Sequence, residues 1–201
     1  MNSQDQCVYI VDDDDAVRDS LGLLLGLKGY RTLPFASADD FLAACAPTWA
    51  GCLLLDIRMP GTSGMALHLE LQDRQMLLPV IFMTAYGDTA TVRTALRSGA
   101  VDYLEKPVDP EAMFAAIDTA FDRDAAQRQK LERATQGEMR LSTLTPRERE
   151  VFDLSIQGQQ YRQIATTLGI SPRTVEVHRA RLIEKLGVRS ISELIRISLT
   201  Q

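Results

Sequence analysis

Three short apolar runs and a fourth, mixed run, each closing on a polar residue that can do chemistry, alternate with stretches of helical periodicity. Cys7-Val8-Tyr9-Ile10-Val11 closes on Asp12 and Asp13, and Gly51-Cys52-Leu53-Leu54-Leu55 closes on Asp56. Val80-Ile81-Phe82-Met83 closes on Thr84, and Asp102-Tyr103-Leu104-Glu105 closes on Lys106. The intervening helices are predicted at about 15–28, 37–46, 64–74, 88–98 and from Pro110 onward, and a fifth strand fits near 31–36. Ser37 with Asp40 reads as a capping box, and Asp109-Pro110 as an N-cap followed by proline at the first helical position. Strictly alternating strands and helices imply a parallel sheet covered on both faces, which is why its strands are continuous apolar runs. Ligands of such sheets bind at the carboxyl ends of the strands, where the strand order reverses. The acid pair, the acid, the hydroxyl and the amine are therefore expected at one edge.

Taken singly, each of these residues has an ordinary explanation: a solvated acidic turn at 12–15, a loop carboxylate, a strand-end hydroxyl, a surface lysine before proline. Four coincidences at the correct ends of alternating strands are a poor account of the set. Three carboxylates within about 5 Å would repel by roughly 3 kcal/mol per pair at an effective dielectric near 20. A hard divalent cation such as Mg²⁺ relieves that repulsion through oxygen ligands.

Val11-Asp12-Asp13, Leu55-Asp56-Ile57-Arg58-Met59-Pro60-Gly61, Thr84-Ala85 and Lys106-Pro107 together resemble the receiver domain of two-component response regulators. The resemblance implies a doubly wound five-stranded parallel sheet of the CheY/flavodoxin type. It implies that Asp56 is the phosphoacceptor and that Asp13, Asp56 and the backbone carbonyl of Arg58 hold Mg²⁺, with Asp12 acting directly or through water. Lys106 would balance charge on the transferring oxygens, Thr84 would bond the phosphoryl group, and Tyr103 would be the aromatic that rotates with the threonine. Arg58 and Tyr86 would flank the path of hydrolytic water, and their bulk predicts a long-lived aspartyl phosphate. The helix at 88–98 and the strand at 102–106 would form the face for dimerisation on phosphorylation. A hydrolase using Asp56 as nucleophile would want an Asp-x-Asp pair, but residue 58 is arginine. A receiver that only dimerises, without taking phosphate, would not need the full Asp/Asp/Asp/Thr/Lys set.

The last third is built differently. Thr145-Pro146-Arg147-Glu148 reads as a capping box, Ile164 to Gly169 as a helix with its terminating glycine, and Ser171-Pro172 as the start of a third helix. Ser190 to Glu193 caps a fourth. Charge divides the same way: residues 1–121 hold 8 Lys+Arg against 17 Asp+Glu (net −9), whereas 141–201 hold 9 against 6 (net +3). An acidic half joined to a basic half suits a regulator with a DNA-reading output.

Leu144-Thr145-Pro146-Arg147-Glu148-Arg149-Glu150 and the run from Ile170 to Ala180 resemble the LuxR-type helix-turn-helix, in the FixJ branch of the NarL/FixJ response regulators. This implies an all-α, four-helix second domain in which Glu176, Val177 and Ala180 face base edges. Arg173, Thr174, His178, Arg179, Arg181 and Lys185 would lie against sugar-phosphate, with packing as an alternative for His178. Tyr161-Arg162 departs from the usual Asn-Lys of the family, which puts the local helix cap in question. The resemblance divides the chain into a receiver at 1–121, a helical linker at 122–140 interrupted near Gly137, and the DNA-binding domain at 141–201. It implies a transcriptional regulator rather than an enzyme, with a sensor histidine kinase, promoter DNA, RNA polymerase and a second copy of the chain as partners. Three cysteines without metal-ligand spacing suggest reduced thiols, and no apolar segment suits a signal peptide or membrane span, so the cytoplasm is the expected compartment.

Overall fold

A computed structural model of the chain describes residues 6–85 and 99–188. The expected helix at 88–98, the fourth helix capped at 190–193, and Tyr86 lie outside the described residues. The chain divides into two compact units, Met1–Arg128 and Gln129–Gln201.

The first unit is a five-stranded parallel sheet in the order β2-β1-β3-β4-β5. Its strands are β1 (Cys7–Val11), β2 (Arg31–Phe35), β3 (Gly51–Asp56), β4 (Val80–Ala85) and β5 (Asp102–Lys106). The helices are α1 (Asp15–Leu27), α2 (Ala38–Ala44), α3 (Gly64–Asp73) and α4 (Pro110–Ser142). β3 is buried along its whole length, as its apolar run predicts, while the edge strands β2 and β5 carry the polar positions. Alternation along the strands fills two cores. Tyr9, Val11, Leu53, Leu55 and Phe82 meet Phe41, Leu67 and Leu71 on one face. On the other, Val8, Ile10, Leu54, Ile81 and Met83 meet Leu21, Leu25, Met113 and Ile117.

The caps follow the sequence with one change. Asp109 accepts from the Ala112 amide at 2.9 Å. The Ser37 hydroxyl accepts from the Asp40 amide but donates to the Asp40 carboxylate, so the reciprocal bond of a capping box is replaced by a side-chain pair. Trp49, legible only as a packing residue, stacks on Tyr9 with ring centroids 4.4 Å apart.

α4 runs unbroken through Gly137, contrary to the expected interruption. A glycine inside a helix costs about 1 kcal/mol relative to alanine, too little to end one flanked by good helix formers. Its early turns belong to the sheet domain. Buried Asp124 accepts from the Gly51 amide at 2.9 Å and from Arg128 Nε at 2.8 Å, and Arg128 also donates to the Trp49 carbonyl. Residues expected in the linker are thus fastened to the base of β3.

The second unit contains α5 (Pro146–Ile156), α6 (Tyr161–Leu168) and α7 (Pro172–Leu186). Thr145 and Glu148 form the predicted capping box of α5. Gly169, at φ 64°, ends α6 in the left-handed conformation that favours glycine, and Ser171 caps α7. Leu141, Phe152, Leu182, Leu186 and Val188 make one core, and Val151, Ile164, Ala165 and Val175 a second.

Candidate functional site

The strand order reverses between β1 and β3, which lie side by side with Val11 opposite Leu55. Asp12 and Asp56 are therefore neighbours at the carboxyl edge, as topology requires of a switch point. Carboxylate oxygens of Asp12, Asp13 and Asp56 lie within 4.8 Å of one another. Asp12 is fully buried, Asp56 is nearly so, and Asp13 is exposed. Lys106 Nζ reaches across from β5 to Asp12 Oδ2 at 2.7 Å and to Asp56 Oδ2 at 3.2 Å. The peptide that follows, Lys106–Pro107, is cis. Thr84, buried at the end of β4, donates its hydroxyl to the Ala85 carbonyl at 3.1 Å. Tyr103 is 41% exposed on β5, and Arg58 lies exposed in the loop beyond β3. The all-oxygen set with its excess negative charge fits Mg²⁺ better than a soft metal.

The second site is the outer face of α7. Val175, Arg179, Leu182 and Leu186 point inward, leaving Arg173, Glu176, Val177, Ala180 and Arg181 exposed. Arg173 pairs with Glu176 at 2.6 Å. Thr174 is half-buried against the Ser171 cap, and His178 is half-buried with Nδ1 unpartnered. Two cations that the resemblance assigns to sugar-phosphate also make contacts within their own domain. Lys185 bonds buried Glu148 at 2.6 Å and the Thr143 carbonyl at 3.2 Å, and Arg179 is only 9% exposed. α6 is closed at its start by Gln163, which accepts from the Gln160 amide at 2.8 Å. Tyr161 is the first residue inside the helix, so replacing the family's asparagine leaves a cap in place.

Residues 8–118 match the model of the response regulator receiver domain, and residues 142–198 that of bacterial regulatory proteins of the luxR family. The transcriptional regulatory protein FixJ of Azorhizobium caulinodans is 42% identical, over 96% of this chain and 91% of that protein. TdiR of Thauera aromatica is 40% identical over 93% of the chain and 82% of its own length. The solved structure of the response regulator StyR superposes with a TM-score of 0.87 at 38% identity, covering 98% of this chain and all of that one. The chain is a FixJ-type two-component response regulator.

The regulator's acidic cluster is electrostatically costly at rest. Burial pushes the Asp56 carboxyl above its ordinary value, Lys106 opposes that rise, and neighbouring Asp12 adds to it. Burial would lower the Lys106 ammonium, but its bonds to Asp12 and Asp56 raise it on balance. The charged form of Asp56 is thus less comfortable in the fold than in water, so removing its charge should stabilise the receiver. Asp56→Asn is expected to raise the receiver's melting temperature at neutral pH. Calorimetry of the two proteins checks this, and an unchanged or lower melting temperature would refute it.

One contributor escaped the sequence. Arg18, on α1, donates to the Asp12 backbone carbonyl at 2.6 Å and pairs with Asp15, fixing the loop that carries the acid pair. Its signal was its place one helical turn inside α1, on the side facing that loop.

Proposed function

We propose that the regulator takes a phosphoryl group on Asp56 from a sensor histidine kinase, with Mg²⁺ bound, and then dimerises on promoter DNA. The observation that carries this reading is the convergence of Asp12, Asp13 and Asp56 at the β1/β3 switch point, with Lys106 bridging two of them. An Asp56 carboxylate oxygen would form the new O–P bond as the donor's N–P bond breaks, and the departing imidazole would take up a proton. Phosphoryl transfer depends mainly on positioning and charge neutralisation. Lys106 is placed to follow the transferred group's oxygens, and Thr84 to exchange the Ala85 carbonyl for one of them. Asp13, Asp56 and the Arg58 carbonyl would hold Mg²⁺, with Asp12 beside them, and the ion would supply neutralising charge.

The receiver boundary at 121, the linker at 122–140 and the DNA-binding domain from 141 follow the same reading, as does Tyr103 as the aromatic that turns with Thr84. On α7, Glu176, Val177 and Ala180 would read base edges. Arg173, Thr174, His178, Arg179, Arg181 and Lys185 would serve phosphate contacts or hold the helix in place. Contact with RNA polymerase would follow on the promoter. No helix among the described residues is long and apolar enough to cross a membrane, which agrees with a cytoplasmic site of action.

Incubating the protein with a small acyl-phosphate donor and Mg²⁺ tests the proposal. Acid-labile phosphate should appear on Asp56, be absent from Asp56→Asn, and move the protein toward dimer in sedimentation. Phosphate on another residue, or none, would exclude Asp56 as the acceptor.

A further inference from the structure

Two cations of α7 meet groups of their own domain, and they are treated differently. Lys185 meets the buried carboxylate of Glu148. Arg179 meets only a ring: its guanidinium carbon lies 4.2 Å from the centroid of Tyr161, the first residue of α6. Among the described residues no carboxylate or carbonyl accepts a hydrogen bond from Arg179. Its Nε is shut off from solvent without an acceptor, whereas its terminal nitrogens are not among the sealed, unpartnered atoms. A guanidinium carries five donors and cannot shed its charge. Held this deeply with no counter-charge among the described residues, it is a poor arrangement for the free protein unless an anion arrives from outside.

Tyr161 explains how the arrangement is maintained. An aromatic face attracts a cation through its quadrupole and leaves the guanidinium edge free for hydrogen bonds. Asparagine, the residue common in the family at this position, offers no such face. The chain's departure from the family pattern and its unpartnered arginine are therefore in contact.

We propose that Tyr161 is a positioning residue for DNA binding, whose ring holds the Arg179 guanidinium between α6 and α7 ready to bond one DNA phosphate. The inference rests on the reading that the second unit binds DNA. Preorganising the guanidinium removes part of the ordering cost of binding, and one phosphate contact adds about one unit to the salt dependence.

The test uses the full chain and a short duplex of mixed sequence, titrated at several salt concentrations. Tyr161→Phe keeps the ring and should bind like the wild type. Tyr161→Leu keeps apolar bulk but not the ring face; it should bind about fivefold more weakly, with the slope of log affinity against log salt shallower by about one. Arg179→Met should give the same slope as Tyr161→Leu, and combining the two should add little. Wild-type affinity and slope in Tyr161→Leu would overturn the proposal, as would equal losses in Leu and Phe. A packing role alone would change melting temperature without changing the slope. If the wild type showed no salt-dependent binding, the DNA-binding reading would fall, and this inference with it. Should Tyr161→Leu not fold, the Arg179 Nε–H proton resonance in the wild type decides the matter. It should be shifted upfield by the ring and return to its usual position in Arg179-containing peptide, whereas an unshifted resonance in the folded protein overturns the stack.

Discussion

Gly64→Ala should destabilise the receiver by about 3 kcal/mol or more, a larger loss than most core substitutions that add one methyl group. A Cβ built at this position would stand 2.0 Å from the Asp56 carbonyl oxygen and 2.9 Å from its carbon. Both are backbone atoms, so no side chain can swing aside. Either α3 must retreat, drawing Leu67 and Leu71 out of the core they share with Leu55 and Phe82, or the Asp56 peptide must turn. The second route misplaces the proposed phosphoacceptor. The variant should therefore show an earlier receiver transition in urea and slower labelling from a phosphodonor. Gly26→Ala is the control, because nothing lies within 4 Å of a Cβ there and α1 would gain helix propensity. A Gly64→Ala protein within about 0.5 kcal/mol of wild type would show that the loop yields freely.

Loss of the Glu148 carboxylate should affect the second unit nearly as strongly. Glu148 caps α5 by accepting from the Thr145 amide at 2.9 Å and binds the last turn of α7 through Lys185 at 2.6 Å. Glu148→Ala removes both, and we expect a loss of about 2–3 kcal/mol, below the full cost of breaking a sealed ion pair because Lys185 can rehydrate. The bond from Lys185, followed by that from Thr145, holds the Glu148 carboxyl down at about 2, from an ordinary value of 4.5. A depressed value in the folded state means that the stabilisation is complete above the unfolded-state value. It is lost as pH falls from about 4.5 through about 2. Acid unfolding of the second unit, followed by circular dichroism, should thus be blunted in Glu148→Gln, which starts less stable and has less to lose. Identical acid transitions in the two proteins would contradict this. Lys185→Ala should likewise lower stability more than it alters the salt dependence of DNA binding, the reverse of what a purely phosphate-facing lysine would do.

The receiver was legible because its chemistry sits at the ends of strongly patterned elements. Once β1, β3, β4 and β5 are recognised as strands of one parallel sheet, topology alone gathers Asp12, Asp56, Thr84 and Lys106. Their pairing was less accessible: Lys106 lies closer to Asp12 than to Asp56, although β3 is nearer to β5 than β1 is. The burial of Arg179 on α7 was less legible, for a physical reason. A run of arginine and lysine reads as a solvated face, yet long aliphatic stems let such residues cross into the interior. Arg179 lies four residues after Val175 and three before Leu182, on the buried stripe, and that spacing was the available signal. Asp124 offered none, because its acceptor role depends on Gly51, 73 residues away.

That same distant bond bears on how such a protein can be taken apart and recombined. A receiver severed at 121 and fused to a different output would leave the Gly51 amide facing a missing carboxylate and the Trp49 carbonyl without its guanidinium. The seam that respects the hydrogen bonding falls beyond Arg128, inside α4 rather than at its root. A recombination event crossing there would exchange half a helix, so the incoming segment must itself be helix-forming for α4 to stay whole.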